Sequence, residues 1–125
     1  MIKLSDYGLS TRGNYVYKNK STLWHSAPEV FKGKRELKSD VWSLGITLVE
    51  LAEGENPYET TIRSKAKDRI CNSYPPSLSN EKWSAECVDF VAKCLVKDVK
   101  ERWSVKQLME VSSCICGLSI APVCE

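Results

Sequence analysis

The residues most able to do chemistry are six cysteines, one histidine and a hydroxyl-rich basic loop. Cys71, Cys87, Cys94, Cys114, Cys116 and Cys124 contain no C-x-x-C pair, and His25 stands alone. Tetrahedral zinc draws on paired Cys and His ligands at short fixed spacings, so this set argues against a metal centre. Disulfides are disfavoured as well, because no secretory signal precedes the cysteines and reducing compartments keep thiols free. Cys87 and Cys94 lie seven apart in a helical pattern and are expected to share a buried face. Between Asp6 and Glu29 no residue is acidic, whereas Arg12, Lys18 and Lys20 are basic. Taken alone, that stretch reads equally as a solvated basic loop.

Elements able to position such residues follow from pattern. Met1 to Leu4 reads as a short strand running into a turn at Ser5-Asp6-Tyr7-Gly8. Leu9 to Ser26 is polar and without helical period, a long loop of the kind that is functional or disordered. Ser39 to Glu53 is the clearest helix, with Ser39-Asp40 as N-cap, Gly54 as C-cap and Pro57 beyond it. Val41, Trp42, Leu44, Ile46, Leu48, Val49 and Leu51 make it apolar nearly all round, so it belongs in the middle of a core. Thr60 to Cys71 reads as a polar helix, broken by Tyr74-Pro75-Pro76. Ser84 to Val96 is amphipathic, with Val88, Val91, Cys94 and Leu95 on one stripe. Ser104 caps a last helix through Leu108 and Met109. Residues 113 to 125 form a cysteine-containing tail without period.

The whole chain has 125 residues, 42% of them hydrophobic and 27% charged, which suits one globular domain at most. A net charge of +2 is too small to point to nucleic acid or to an anionic membrane. No apolar run reaches the roughly 20 residues of a membrane span. A cytoplasmic, reduced protein is expected.

Four strings then occur in a fixed order. They are Asp6-Tyr7-Gly8, Ala27-Pro28-Glu29, Ser39-Asp40-Val41-Trp42-Ser43-Leu44-Gly45, and Cys94-Leu95 with Asp98 and Arg102. Gly54-x-x-Pro57-Tyr58 sits between the last two. In this order the chain resembles the C-terminal lobe of the eukaryotic protein kinase domain from the D-F-G-like motif onward, over residues 1 to 112. Ser39 to Tyr58 is most similar to the STE group of serine/threonine kinases. The resemblance implies a mainly α fold, in which C-lobe helices follow a short strand and an activation segment over residues 6 to 29, the N-lobe being absent.

What the resemblance implies for single residues can be put physically. Asp6 would bind magnesium between the nucleotide phosphates of ATP, where a hard cation needs carboxylate oxygen. Gly8 would allow the sharp turn after it. Tyr7 replaces the usual phenylalanine at a packing position. Ser10, Thr11, Tyr15, Tyr17, Ser21 and Thr22 are candidate phosphorylation points, where a phosphate could pair with nearby Arg or Lys and order the loop. Thr22, five residues before Ala27, matches the threonine that seats the acceptor hydroxyl in serine/threonine kinases. His25 stands where the family usually has Trp or Tyr, with Trp24 one place early.

Glu29 and Arg102 match a buried ion pair, and Asp40 matches an aspartate that holds the catalytic-loop backbone. Trp42 and Gly45 belong to the central-helix motif. Val99 and Trp103 replace prolines near Arg102. Expected partners are protein substrates and other kinase-cascade proteins.

Other family parts cannot be built from these residues. The six glycines form no G-x-G-x-x-G, and His25 is followed by Ser26, so H-R-D is missing too. No complete catalytic set is present, and the isolated chain is expected to transfer no phosphate. The runner-up reading is a non-catalytic interaction or regulatory module. Part of Trp42, Ile46 and Val49 is then expected to face solvent, with self-association through that apolar surface.

Overall fold

The computed structural model describes residues 3–5, 7, 23–59 and 62–115. Four helices carry the fold: α1 (Leu37–Glu53), α2 (Arg63–Asn72), α3 (Ala85–Cys94) and α4 (Val105–Ile115). Two short 3-10 turns, Leu23–His25 and Pro28–Lys32, precede them. The mainly α, C-lobe-like architecture expected from the sequence is present. Lys3 and Leu4, the end of the expected strand, carry no strand pairing among the described residues.

Helix α1 begins two residues before the expected start. Its N-cap is Glu36, not Ser39-Asp40. The Glu36 N–H donates to Ser39 Oγ at 3.0 Å, and the Ser39 N–H donates to the Glu36 carbonyl at 3.0 Å. Ser39 therefore closes the first turn from inside the helix, which frees Leu37 and Lys38 to adopt helical backbone. At the other end Gly54 takes a left-handed φ of 81° and its N–H donates to the Glu50 carbonyl. Only a residue without Cβ adopts that geometry without strain.

Val41, Trp42, Ile46 and Val49 of α1 pack with Ile70 of α2, with Val91, Cys94 and Leu95 in and just after α3, and with Leu108 of α4. Trp42 and Ile46 are fully buried. The expected solvent-facing patch is therefore misplaced: the exposed apolar residues of α1 are Leu37, Leu44 and Leu51 instead. The reason is rotational. Positions 37, 44 and 51 are spaced by seven and share one side of the helix, whereas 42, 46 and 49 lie on the side turned to α3 and the buried cluster.

Where α1 meets α3, Gly45 matters. A Cβ there would sit 2.7 Å from Leu95 Cδ2 and 2.8 Å from Cys94 Cβ, so the missing side chain sets the approach of the two elements. Cys94 is buried and Cys87 half-buried on the shared face predicted for them. Burial pushes the Cys94 thiol up to about 12, leaving it an inert core residue.

Capping follows the sequence in the last two helices. Ser84 Oγ accepts the Cys87 N–H at 3.3 Å. Ser104 Oγ accepts the Gln107 N–H at 3.3 Å while Gln107 Oε1 accepts the Ser104 N–H at 2.9 Å, a reciprocal capping box. Helix α4 continues to Ile115, past the expected end near Met109 and into the segment read as tail. No helix among the described residues is long and apolar enough to cross a membrane.

Candidate functional site

The sequence Ala27-Pro28-Glu29 turns the chain sharply. Pro28 opens the 3-10 turn with its fixed φ, and Gly33 ends it in a left-handed conformation. This turn delivers Glu29 into the interior, 7% exposed. Its partner arrives from 73 residues away. The Asp98 carbonyl and carboxylate accept the Arg102 and Lys100 N–H groups, each at 2.9 Å, and the resulting tight turn aims Arg102 inward.

Arg102 Nη1 donates to Glu29 Oε1 at 2.7 Å and Nη2 donates to Oε2 at 3.0 Å, a bidentate pair. The remaining donors are also used. Nη1 reaches the Lys38 carbonyl, Nε the Val96 carbonyl and Nη2 the Lys97 carbonyl, at 2.8, 2.7 and 3.4 Å. All five N–H groups of the guanidinium thus have acceptors. The Trp42 ring lies beneath it, 5.3 Å from centroid to Cζ. Ser39 Oγ completes the set by donating to Glu29 Oε1 at 2.9 Å. Burial alone would push the Glu29 carboxyl up, but the hydrogen bonds from Arg102 and Ser39 and the guanidinium charge outweigh it. The carboxyl is held below its ordinary value.

A second polar group lies at the preceding turn. His25 Nε2 is 2.7 Å from Glu50 Oε2, and Asn56 Nδ2 donates to the same oxygen at 3.3 Å. Asn56 Oδ1 accepts the Tyr58 N–H at 2.8 Å. Tyr58 itself is buried, and burial pushes its phenol up to about 12.

Of the residues singled out by motif, Glu29, Trp42 and Arg102 converge where α1, the 28–32 turn and the 98–102 turn meet, and Gly45 lies farther along α1 against Cys94 and Leu95. Asp40 lies in the first turn of α1, exposed and with no side-chain hydrogen bond to another described residue; its charge favours the positive end of the helix. Tyr7, expected at a packing position, is exposed and donates to the Leu4 carbonyl at 2.6 Å. Asp6, Gly8, Ser10, Thr11, Tyr15, Tyr17, Ser21 and Thr22 lie outside the described residues. So does any geometry for magnesium, and no three acidic, His or Cys side chains converge among the described residues. One carboxylate does not make a metal–nucleotide site.

Sequence reasoning missed three contributors. Ser39 read as a cap, yet it bridges the helix start to Glu29. Glu50 and Asn56 were not singled out. The available signal was Glu50 itself, a charge in a helix read as apolar nearly all round. Trp103, in place of a proline, packs against the core, and the Ser104 capping box sets the entry to α4 instead.

The family model described as protein kinase domain matches residues 1–112. The chain belongs to the protein kinase domain family. Among curated relatives, serine/threonine-protein kinase pakH of Dictyostelium discoideum is 40% identical over 114 residues, covering 87% of this chain and 22% of that protein. Serine/threonine-protein kinase pakE of the same organism is 42% identical over 114 residues, covering 86% of this chain and 12% of the relative. Serine/threonine-protein kinase hippo of Drosophila melanogaster is 36% identical over 114 residues, again 86% of this chain and 17% of the relative. The chain therefore spans roughly a fifth or less of the length of these relatives. The serine/threonine, STE-like resemblance read from the motifs agrees with them.

Proposed function

We propose that this chain is the substrate-side portion of a serine/threonine kinase catalytic domain, acting in ATP-dependent phosphotransfer to protein Ser or Thr. The observation that carries this reading is the dry Glu29–Arg102 pair, which ties the end of the 6–29 segment to the central helix. A segment that must hold a protein acceptor in register needs such a fixed end, since misplacement by an ångström is costly in rate. In this reading Thr22 seats the acceptor hydroxyl and Asp6 holds magnesium on ATP. A phosphate on Ser10, Thr11, Tyr15, Tyr17, Ser21 or Thr22 orders the segment against Arg12, Lys18 or Lys20.

Phosphotransfer rests on positioning and electrostatics. The 125 residues contain no glycine-rich phosphate loop and no H-R-D base, so by themselves they transfer no phosphate. The purified chain, given magnesium, labelled ATP and a general protein substrate, should leave the substrate unlabelled; magnesium-dependent labelling would overturn that statement. The coding sequence upstream of Met1 offers the complementary test. An H-R-D-x-x-x-x-N string roughly 20 residues earlier supports the kinase reading. Stop codons there, with a folded soluble product, favour a non-catalytic module.

That second reading has its own observation. Leu37, Leu44 and Leu51 form an exposed apolar stripe on α1, a surface suited to a protein partner or to a second copy of the chain.

A further inference from the structure

The polar group around His25 has no part in the phosphotransfer reading, yet it grips the same stretch of chain. His25 is held at two points. Ser43 Oγ donates to the His25 carbonyl at 2.8 Å, and the imidazole Nε2 meets Glu50 Oε2 at 2.7 Å. Ser43 and Glu50 are seven apart, so both lie on one side of α1, about 10 Å apart along its axis. The last turn before Ala27 is therefore laid lengthwise along the helix rather than touching it at a point.

The proton inventory fixes the ring. Glu50 as a carboxylate only accepts, so a 2.7 Å contact requires hydrogen on Nε2. Asn56 is buried, and its Oδ1 is committed to the Tyr58 N–H, which turns its Nδ2 toward Glu50. Nδ2 also lies 3.4 Å from His25 Nε2, but two donors face one another there and make no bond. Glu50 Oε2 is thus the shared acceptor of a donor from the 23–25 turn and a donor from the loop after α1.

We propose that His25 is a positioning residue, latching the end of the 6–29 segment onto Glu50 and, through it, onto the Asn56–Tyr58 turn. This rests on the reading above only in what the segment is for; the latch itself can be measured without ATP. Two features distinguish it from a packing residue. The ring is only half-buried, and its tether is a single proton on a named nitrogen.

Nitrogen-15 NMR of the histidine-labelled 125-residue chain is decisive because His25 is the sole histidine. At about pH 8 the spectrum should report a proton on Nε2 and none on Nδ1. Glu50→Ala should weaken that preference toward the modest Nε2–H bias a free imidazole already has, so the wild-type ratio is read against this variant. Hydrogen exchange at Val30, whose N–H donates to the Ala27 carbonyl, should then quicken about tenfold, the size of one charge-assisted hydrogen bond. His25→Gln, which keeps a donor, should retain most of the protection, and His25→Leu should not. A ring protonated on Nδ1 in the wild-type chain would overturn the latch even if every variant failed to fold. So would equal loss of protection in the Gln and Leu variants. Absence of phosphotransfer would count against the functional reading and leave these measurements unchanged.

Discussion

Two tethers hold the same few residues, and they are built oppositely. The Glu29–Arg102 anchor is dry: Arg102 is 1% exposed, its five donors are all used and an aromatic ring lies beneath it. The His25–Glu50 group is half in water and rests on one short side-chain contact, backed by the longer bond from Asn56 and by Ser43 on the His25 carbonyl. A buried ion pair adds little net stability over an apolar substitute, but it cannot be halved without stranding a charge. A half-exposed hydrogen bond is worth less and can be released at modest cost. The molecule therefore fastens the end of its 6–29 segment once irrevocably and once adjustably.

The sharpest break of that contrast is Arg102→Ala. It leaves the Glu29 carboxylate buried without its cation and should cost about 3–5 kcal/mol, enough to unfold a chain of this size. Chemical denaturation with the wild type as reference checks it. Glu29→Met combined with Arg102→Leu should recover much of that loss, because no charge is then stranded. If the double variant is as unstable as the single one, the hydrogen bonds to the Lys38, Val96 and Lys97 carbonyls matter more than the ion pair. Next in size is Gly45→Ala. The added Cβ would press on Cys94 and Leu95 beneath the anchor, at a cost of about 1–3 kcal/mol read from the same denaturation.

Acid tests the buried tether. The folded Glu29 carboxyl is held below its ordinary value of 4.5. A depressed carboxyl stabilises the fold above the unfolded value, and that contribution is lost as pH falls through the folded one. Stability followed by circular dichroism should thus decline as the pH drops below about 4.5, and a Glu29→Gln chain should lose that part of the slope. Ser39→Ala is a smaller test of the same network. It removes a donor to Glu29 and the acceptor for the Glu36 N–H, and should cost about 1 kcal/mol.

How far these tethers could be read from sequence differs for the same physical reason. Glu29 and Arg102 sit in strings that a motif carries across 73 residues, and a buried pair tolerates little variation. Capping was legible in Ser104 and Gly54, because each acts on amides or carbonyls within four residues. Ser39 was misjudged because its hydroxyl serves two masters, the Glu36 amide nearby and Glu29 ten residues back, and only the second is invisible locally. The orientation of α1 was misjudged because an all-round apolar pattern has no preferred side. Nothing in its composition says that Trp42 faces in and Leu44 out; the Gly45 contact with Leu95 and the path of Arg102 decide that.

The exposed side of α1 supplies the gentlest test, since it lies across the helix from the anchor. Leu37, Leu44 and Leu51 are 66%, 43% and 72% exposed and outside the buried core, so replacing Leu44 and Leu51 by Glu should change monomer stability by no more than about 0.5 kcal/mol. If the chain self-associates through this face, the same pair of changes should abolish it, because a seam of leucines seven apart buries apolar area only when another surface meets it. Sedimentation across a hundredfold concentration range reads the association, and melting at each concentration reads the stability. A wild-type chain that stays monomeric and melts at one temperature throughout removes the second copy as occupant of that face. If the wild type associates and the double variant associates equally, the contact lies elsewhere on the molecule and the leucine stripe is an ordinary exposed surface. Association lost with the anchor intact would show that the inner face of α1 fixes the fold while its outer face is held in reserve for a partner.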